Sequence, residues 1–179
     1  MTPMQESLCR MTCWKVLRSS AGRYATPGEL PGSGWVDARV PGTVAEALRL
    51  ADPDAGLQGL DDDDWWYRAE LPTGQASRLL VRFDGLAGQA EIWTDHKRIA
   101  DQHNMFVPLE VAVDTRSGGH LWICFRSLSR TLQEKYRRPR WKSALVSHQQ
   151  LRRVRQTICG RAPGGTTPAP IGPWRDVLA

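Results

Sequence analysis

Leu79-Leu80-Val81-Arg82-Phe83-Asp84-Gly85 reads as a β-strand that runs into a turn. Its first five residues suit an extended backbone, and Asp-Gly is a turn pair. The same grammar repeats on either side. Gln89-Ala90-Glu91-Ile92-Trp93-Thr94 alternates, with Ala90 and Ile92 on one face. Pro108-Leu109-Glu110-Val111-Ala112-Val113 alternates as well, and Leu121-Trp122-Ile123-Cys124-Phe125 follows Gly118-Gly119. Trp35 to Val40 and Trp66 to Leu71 are shorter candidates. These strands crowd between about residues 65 and 125, a spacing that predicts an antiparallel all-β sandwich or barrel.

Two short helices are expected in the connections. Thr43-Val44-Ala45-Glu46 is a capping box, with Thr43 as the cap and Glu46 as its reciprocal partner. The second runs from Leu128 to Tyr136 and stops before Pro139. From Ala162 to Pro173 the chain is rich in proline and glycine, which predicts a loop. Asp176-Val177-Leu178 looks like a final strand, opened by Trp174-Arg175.

The chain has 179 residues, of which 41% are hydrophobic and 24% charged. That is the composition of a folded globular domain long enough to bury a core. No apolar run reaches the ~18 residues of a membrane-spanning helix, so no membrane partner is expected. The first residues lack the basic-then-apolar order of a secretory signal. Cys9, Cys13, Cys124 and Cys159 therefore read as reduced thiols of a cytoplasmic protein. Their spacing is not that of a zinc site, and the four histidines never pair at ligand spacing.

No nucleophile elbow, phosphate loop or dinucleotide fingerprint is present, and no cofactor or metal is implied. Asp61-Asp62-Asp63-Asp64 lacks the alternate spacing and glycine of a calcium loop and reads as a solvated turn. The net charge of +5 is local. Between Glu134 and Arg161, nine lysines and arginines face one acid, Glu134. Arginine beside tryptophan, as at Trp141, is the vocabulary of a single-strand nucleic-acid surface. Elsewhere acids match bases along the strands, so a solvated or domain-docking face is the stronger reading, against nucleic acid.

Read in order, several segments share one pattern. They are Val40-Pro41-Gly42-Thr43-Val44, Asp63-Asp64-Trp65-Trp66-Tyr67-Arg68 and Val81-Arg82-Phe83-Asp84-Gly85-Leu86. Ala90-Glu91-Ile92-Trp93, Asn104-Met105-Phe106, Ile123-Cys124-Phe125-Arg126-Ser127 and Gly172-Pro173-Trp174-Arg175-Asp176-Val177 follow. Together they resemble the N-terminal sugar-binding domain of glycoside hydrolase family 2, and within it the β-mannosidase branch.

The resemblance implies a galactose-binding-like jelly-roll β-sandwich with short helices in its connections. It implies a lead-in and first strand over 1–34 and the jelly roll over 35–179. In such enzymes an immunoglobulin-like domain and a barrel follow, and the barrel carries both catalytic glutamates. The chain is then a non-catalytic piece of a retaining glycosidase, its partners being carbohydrate and those downstream domains. A free-standing carbohydrate-binding module is the alternative.

β-Mannosidases carry a Trp-Asp-Trp-Gly-Pro stretch near the end of this domain. The equivalent here is Cys159-Gly160-Arg161-Ala162-Pro163-Gly164-Gly165, without the Trp and Asp. Arg161 then either donates to sugar oxygens or pairs with an acid of the barrel. The candidate carbohydrate-binding or cleft-facing residues are Trp65, Trp66, Arg161, Trp174 and Arg175. Alternation along a strand predicts that one of Trp65 and Trp66 is core and the other exposed or at a domain contact.

Overall fold

A computed structural model describes residues 9–71, 78–95, 97–116, 118–135, 137 and 142–179. Their strands are β1 (Trp14–Ser20), β2 (Val36–Ala38), β3 (Asp63–Glu70), β4 (Arg78–Phe83) and β5 (Gln89–Thr94). After them come β6 (Arg98–Gln102), β7 (Leu109–Asp114), β8 (His120–Arg126) and β9 (Val177–Leu178). They form a six-stranded sheet, β2-β1-β3-β8-β5-β6, and a three-stranded sheet, β7-β4-β9. Every pairing between these strands is antiparallel. From β3 to β8 the chain passes back and forth between the sheets, the winding of a jelly roll.

The period of two explains the core. Trp65, Tyr67 and Ala69 of β3 share one face with Ile123 and Phe125 of β8 and with Ala90 and Ile92 of β5. They pack on Val81 and Phe83 of β4, Val113 of β7 and Val177 of β9. Tyr67 meets the edge of Phe125 at 5.6 Å. Each buried aromatic ring removes ~200 Å² from water, which stabilises on the order of 5 kcal/mol before entropy is counted.

Helix α1 (Val44–Ala51) closes one end. The Thr43 side chain caps it by accepting from the Glu46 backbone N–H at 3.4 Å, as the capping box predicts. Val44 N–H donates to the Ile171 carbonyl at 2.8 Å, and Gly42 N–H to that of Pro173 at 2.9 Å. A Cβ on Gly172, at φ 131°, would stand 2.9 Å from Tyr67 Oη, so only glycine lets the loop lie this close. Helix α2 (Leu128–Gln133) is capped by Ser127 and ends at Gln133. Tyr136, Pro139 and Trp141 lie outside the described residues.

One expectation shifts, and two strands add to the reading. Trp174 and Arg175 do not open a strand; they precede β9 in a loop. Strand β6 was not anticipated. Strand β1, within the lead-in segment, pairs with both β2 and β3 and lies inside the sheet. Residues 9 and 11 extend the three-stranded sheet. Cys9 and Ala179 exchange two backbone hydrogen bonds of 2.8 Å, and Met11 N–H donates to Val177 at 3.0 Å.

Candidate functional site

Of the four acids at the head of β3 only Asp62 is exposed, so the run is not simply a solvated turn. Asp64 is buried and accepts from Gly22 N–H at 2.9 Å, from Ser127 N–H at 2.8 Å and from Arg126 Nη1 at 2.9 Å. Asp63 pairs with Arg18 at 2.6 Å. Asp61 accepts from Arg161 Nη2 at 3.0 Å. Among the described residues no group of acids, histidines or cysteines is arranged to hold a metal.

Arg161 is therefore paired within its own chain. It is 5% exposed. Its Nη1 reaches only the Cys159 carbonyl at 3.5 Å, and its Nε is buried without a partner among the described residues. Burial drives the Arg161 pKa down against the pull of Asp61. Burial likewise drives Asp61 up, and Arg161 offsets only part of that. The pair is held largely out of water, with side-chain exposures of 3% for Arg161 and 24% for Asp61.

Two hollows flank this pair. The larger, about 680 Å³, is lined by Arg161, Asn104, Phe106, Ser143, Leu145, Val146, Gln149, Leu151 and Val154, and by Arg155 to Ile158. The smaller, about 320 Å³, lies between Asp61, Arg161, α2 and Ser147-His148. The walls rest on a satellite core of Leu128, Leu151 and Val154. Backbone bonds fasten them to the sandwich: Met105 N–H to Arg155 at 2.9 Å and Arg155 N–H to His103 at 3.2 Å.

Trp174 and Arg175 line a third hollow of about 410 Å³ with Pro41, Arg82, Asp84, Pro108 and Asp176. Trp174 Nε1 donates to the Met105 carbonyl at 3.1 Å. A Cβ on Gly85 would stand 2.6 Å from that nitrogen, so the Asp84-Gly85 turn leaves the space the indole uses. The Arg175 guanidinium lies over one face of the ring at 4.2 Å, a cation–π contact. Phe106 meets Trp174 edge-on at 6.5 Å. The segment Asn104-Met105-Phe106 thus stands between the hollow of Trp174 and that of Arg161.

Trp65 and Trp66 belong to neither, and the expectation that one would be exposed is not met. They do point to opposite faces, but exposures are 1% and 0%. Trp65 sits in the main core, its Nε1 donating to the Leu60 carbonyl at 2.9 Å. Trp66 faces outward into a second cluster with Leu17 and Cys124, covered by Tyr24, Leu30, Trp35 and Trp93. Neither ring is open for a sugar to stack on.

Reading by motif missed Asp61, Phe106, Leu145 and Ile158 as parts of this end. Phe106, Leu145 and Ile158 are 53%, 69% and 54% exposed. Their signal in the sequence was large apolar residues inside polar loops.

Two antiparallel sheets facing each other, with few helices, define an all-β sandwich of the jelly-roll class. The sequence matches the family described as glycosyl hydrolase 2 galactose-binding domain-like over residues 14–175, and the chain belongs to that family. No curated protein matches the sequence. Among solved structures, a β-D-mannosidase from Dictyoglomus thermophilum superposes with a TM-score of 0.65 at 22% identity, over 96% of this chain and 22% of that one. A β-glucuronidase from Faecalibacterium prausnitzii gives 0.56 at 15% identity, over 99% of this chain and 32% of that one. An exo-chitosanase from Amycolatopsis orientalis gives 0.55 at 17%, over 94% of this chain and 20% of that one. These likenesses establish a common fold. The chain spans between 20% and 32% of the length of those three proteins. No helix among the described residues is long and apolar enough to cross a membrane.

Proposed function

We propose that the chain is the non-catalytic carbohydrate-binding and supporting domain of a family 2 glycoside hydrolase, β-mannosidase-like in its sugar, working in the cytoplasm. Its Trp174–Arg175 hollow faces the sugar cleft, and its partners are the immunoglobulin-like and barrel domains of the same enzyme. The observation that carries this reading is the makeup of that hollow. An indole stands among Arg82 with Asp84 at 2.7 Å and Asp176 with Arg10 at 3.0 Å, an aromatic surface ringed by hydrogen-bonding charges. That is the chemistry a pyranose ring with its hydroxyls selects. Glycoside hydrolysis needs two carboxyl groups flanking one bond. The Arg161 hollow has neither Asp nor Glu in its lining, and in the Trp174 hollow Asp84 and Asp176 are each paired with an arginine. The four unpaired thiols suit a reducing compartment.

Two measurements test this. Pure 179-residue protein is expected to leave chromogenic β-mannoside, β-glucuronide and β-glucosaminide intact. Turnover of any of them overturns the non-catalytic reading. Reading the native gene past the codon for Ala179 is expected to show an open frame encoding a barrel with two catalytic glutamates. A stop codon there replaces this reading with the free-standing module, for which Trp174→Ala must weaken binding to manno-oligosaccharides.

A further inference from the structure

The Arg161 hollow differs in chemistry from the one around Trp174. Its apolar lining is aliphatic, from Leu145, Val146, Leu151, Val154 and Ile158, with Phe106 as the single aromatic ring, and polar side chains such as Asn104, Ser143 and Gln149 stand beside it. Such walls suit an alkyl or aryl body better than a pyranose, which favours flat aromatic platforms. Two buried donors in the lining lack acceptors among the described residues: Arg161 Nε and Gln156 Nε2. A buried donor without an acceptor is costly, so a ligand that supplies acceptors gains by filling the place. Arg155 adds an exposed positive charge to the same lining, which holds no carboxylate of its own; Asp61, behind it, occupies Arg161 Nη2 at 3.0 Å and leaves Nε unfilled. The volume, about 680 Å³, lies within the ordinary range of small-molecule sites.

We propose that this hollow binds a small carboxylate carried on an alkyl or aryl body. The carboxylate accepts from Arg161 and Gln156, Arg155 steers it in, and the body lies on the aliphatic walls under Phe106. A carboxylate takes two or more donors at once, which matches two unfilled donors better than a neutral acceptor does. The proposal does not depend on the glycosidase reading, because it concerns a different hollow.

The test is an NMR titration of the whole chain with 4-phenylbutyrate, its neutral amide, acetate and glucuronate. The expected result is saturable shifts at Phe106, Gln156, Ile158 and Arg161 with phenylbutyrate below about 20 mM, as its small size allows. The amide and acetate should each bind at least about tenfold more weakly. Gln156→Glu puts a negative charge where the donor was. It should weaken phenylbutyrate by about tenfold or more while moving the amide less than about twofold. Arg155→Gln, at an exposed position, should weaken phenylbutyrate by roughly threefold. Thermal unfolding of each variant checks that it is folded. No shifts with phenylbutyrate, or equal binding of the amide, overturns the proposal. Tighter binding of glucuronate overturns the apolar body and makes the hollow a sugar-acid site.

Discussion

Arg126 and Arg161 both close on the acid run at the head of β3, yet they are satisfied to different degrees. Arg126 lies at the end of β8. Its Nη1 bonds Asp64 at 2.9 Å, and its Nε and Nη2 hold Glu91 at 2.9 and 2.8 Å. It also donates to the Tyr24 and Ala25 carbonyls at 2.9 and 3.2 Å. Burial pushes the Arg126 pKa down, but the bonds to Glu91 and Asp64 overcome it and the net shift is upward. Arg161 is the more deeply buried, and its net shift is downward. The difference teaches where the molecule has hydrogen-bonding capacity in reserve. Arg126 spends every donor nitrogen, on Glu91, on Asp64 and on the Tyr24 and Ala25 carbonyls of the loop that covers Trp66. Arg161 keeps one donor unfilled beside a hollow.

The largest effect should come from Arg126→Ala. It strands two carboxylates and frees the covering loop, at about 4 kcal/mol. That corresponds to a fall of roughly 8–16 °C in the thermal midpoint for a chain of this size. Arg161→Gln keeps a polar group toward Asp61 and should cost about 2 kcal/mol by chemical denaturation. A larger loss at Arg161 than at Arg126 would invert the comparison.

The two neighbouring tryptophans sharpen it on a smaller scale. Trp65→Phe leaves the Leu60 carbonyl without its donor, whereas Trp66→Phe removes an indole N–H that is buried without a partner among the described residues. Both shrink the core alike, so Trp65→Phe should be the more destabilising by about 1 kcal/mol. Equal losses would mean that satisfaction of the donor is irrelevant here.

Acid titration gives the smallest signal and the clearest sign. The Asp61 carboxyl is raised by burial, so its contribution to stability is full below its ordinary value of 3.8 and is lost as pH rises through the folded value. Asp61→Asn cannot titrate. The stability of the natural protein relative to that variant should therefore decline as pH rises across this window. Asp114, lowered to about 2 by hydrogen bonds from Arg116, has the opposite sign: its contribution is present above 3.8 and lost as pH falls through about 2. The pair is exposed, so Asp114→Asn should lower the neutral-pH midpoint only slightly.

Much of the fold was legible because its signals are local. Leu79 to Phe83 became β4 and Gln89 to Thr94 became β5, each carried by its own alternation. Strand β6 escaped because it is the sheet's edge, offering only Ile99 and Ala100 as apolar residues. The site was less legible because its partners are distant. Asp64 meets Arg126 across 62 residues and Asp61 meets Arg161 across 100. The acids therefore read as solvated when taken alone. Trp66 failed in the same way: alternation gave its direction, but its cover comes from a loop more than 30 residues earlier and from Trp93 on β5.

The pairing of Cys9 with Ala179 also has a mechanical side. Residues 9 and 179 lie at the same end of their short antiparallel ladder, with Met11 and Val177 further in. A pull on the two chain ends therefore loads these bonds one after another, as in opening a zipper, rather than all at once in shear. Tension arriving through the flanking chain would peel this ladder at low force, while the buried rings between the sheets stayed packed.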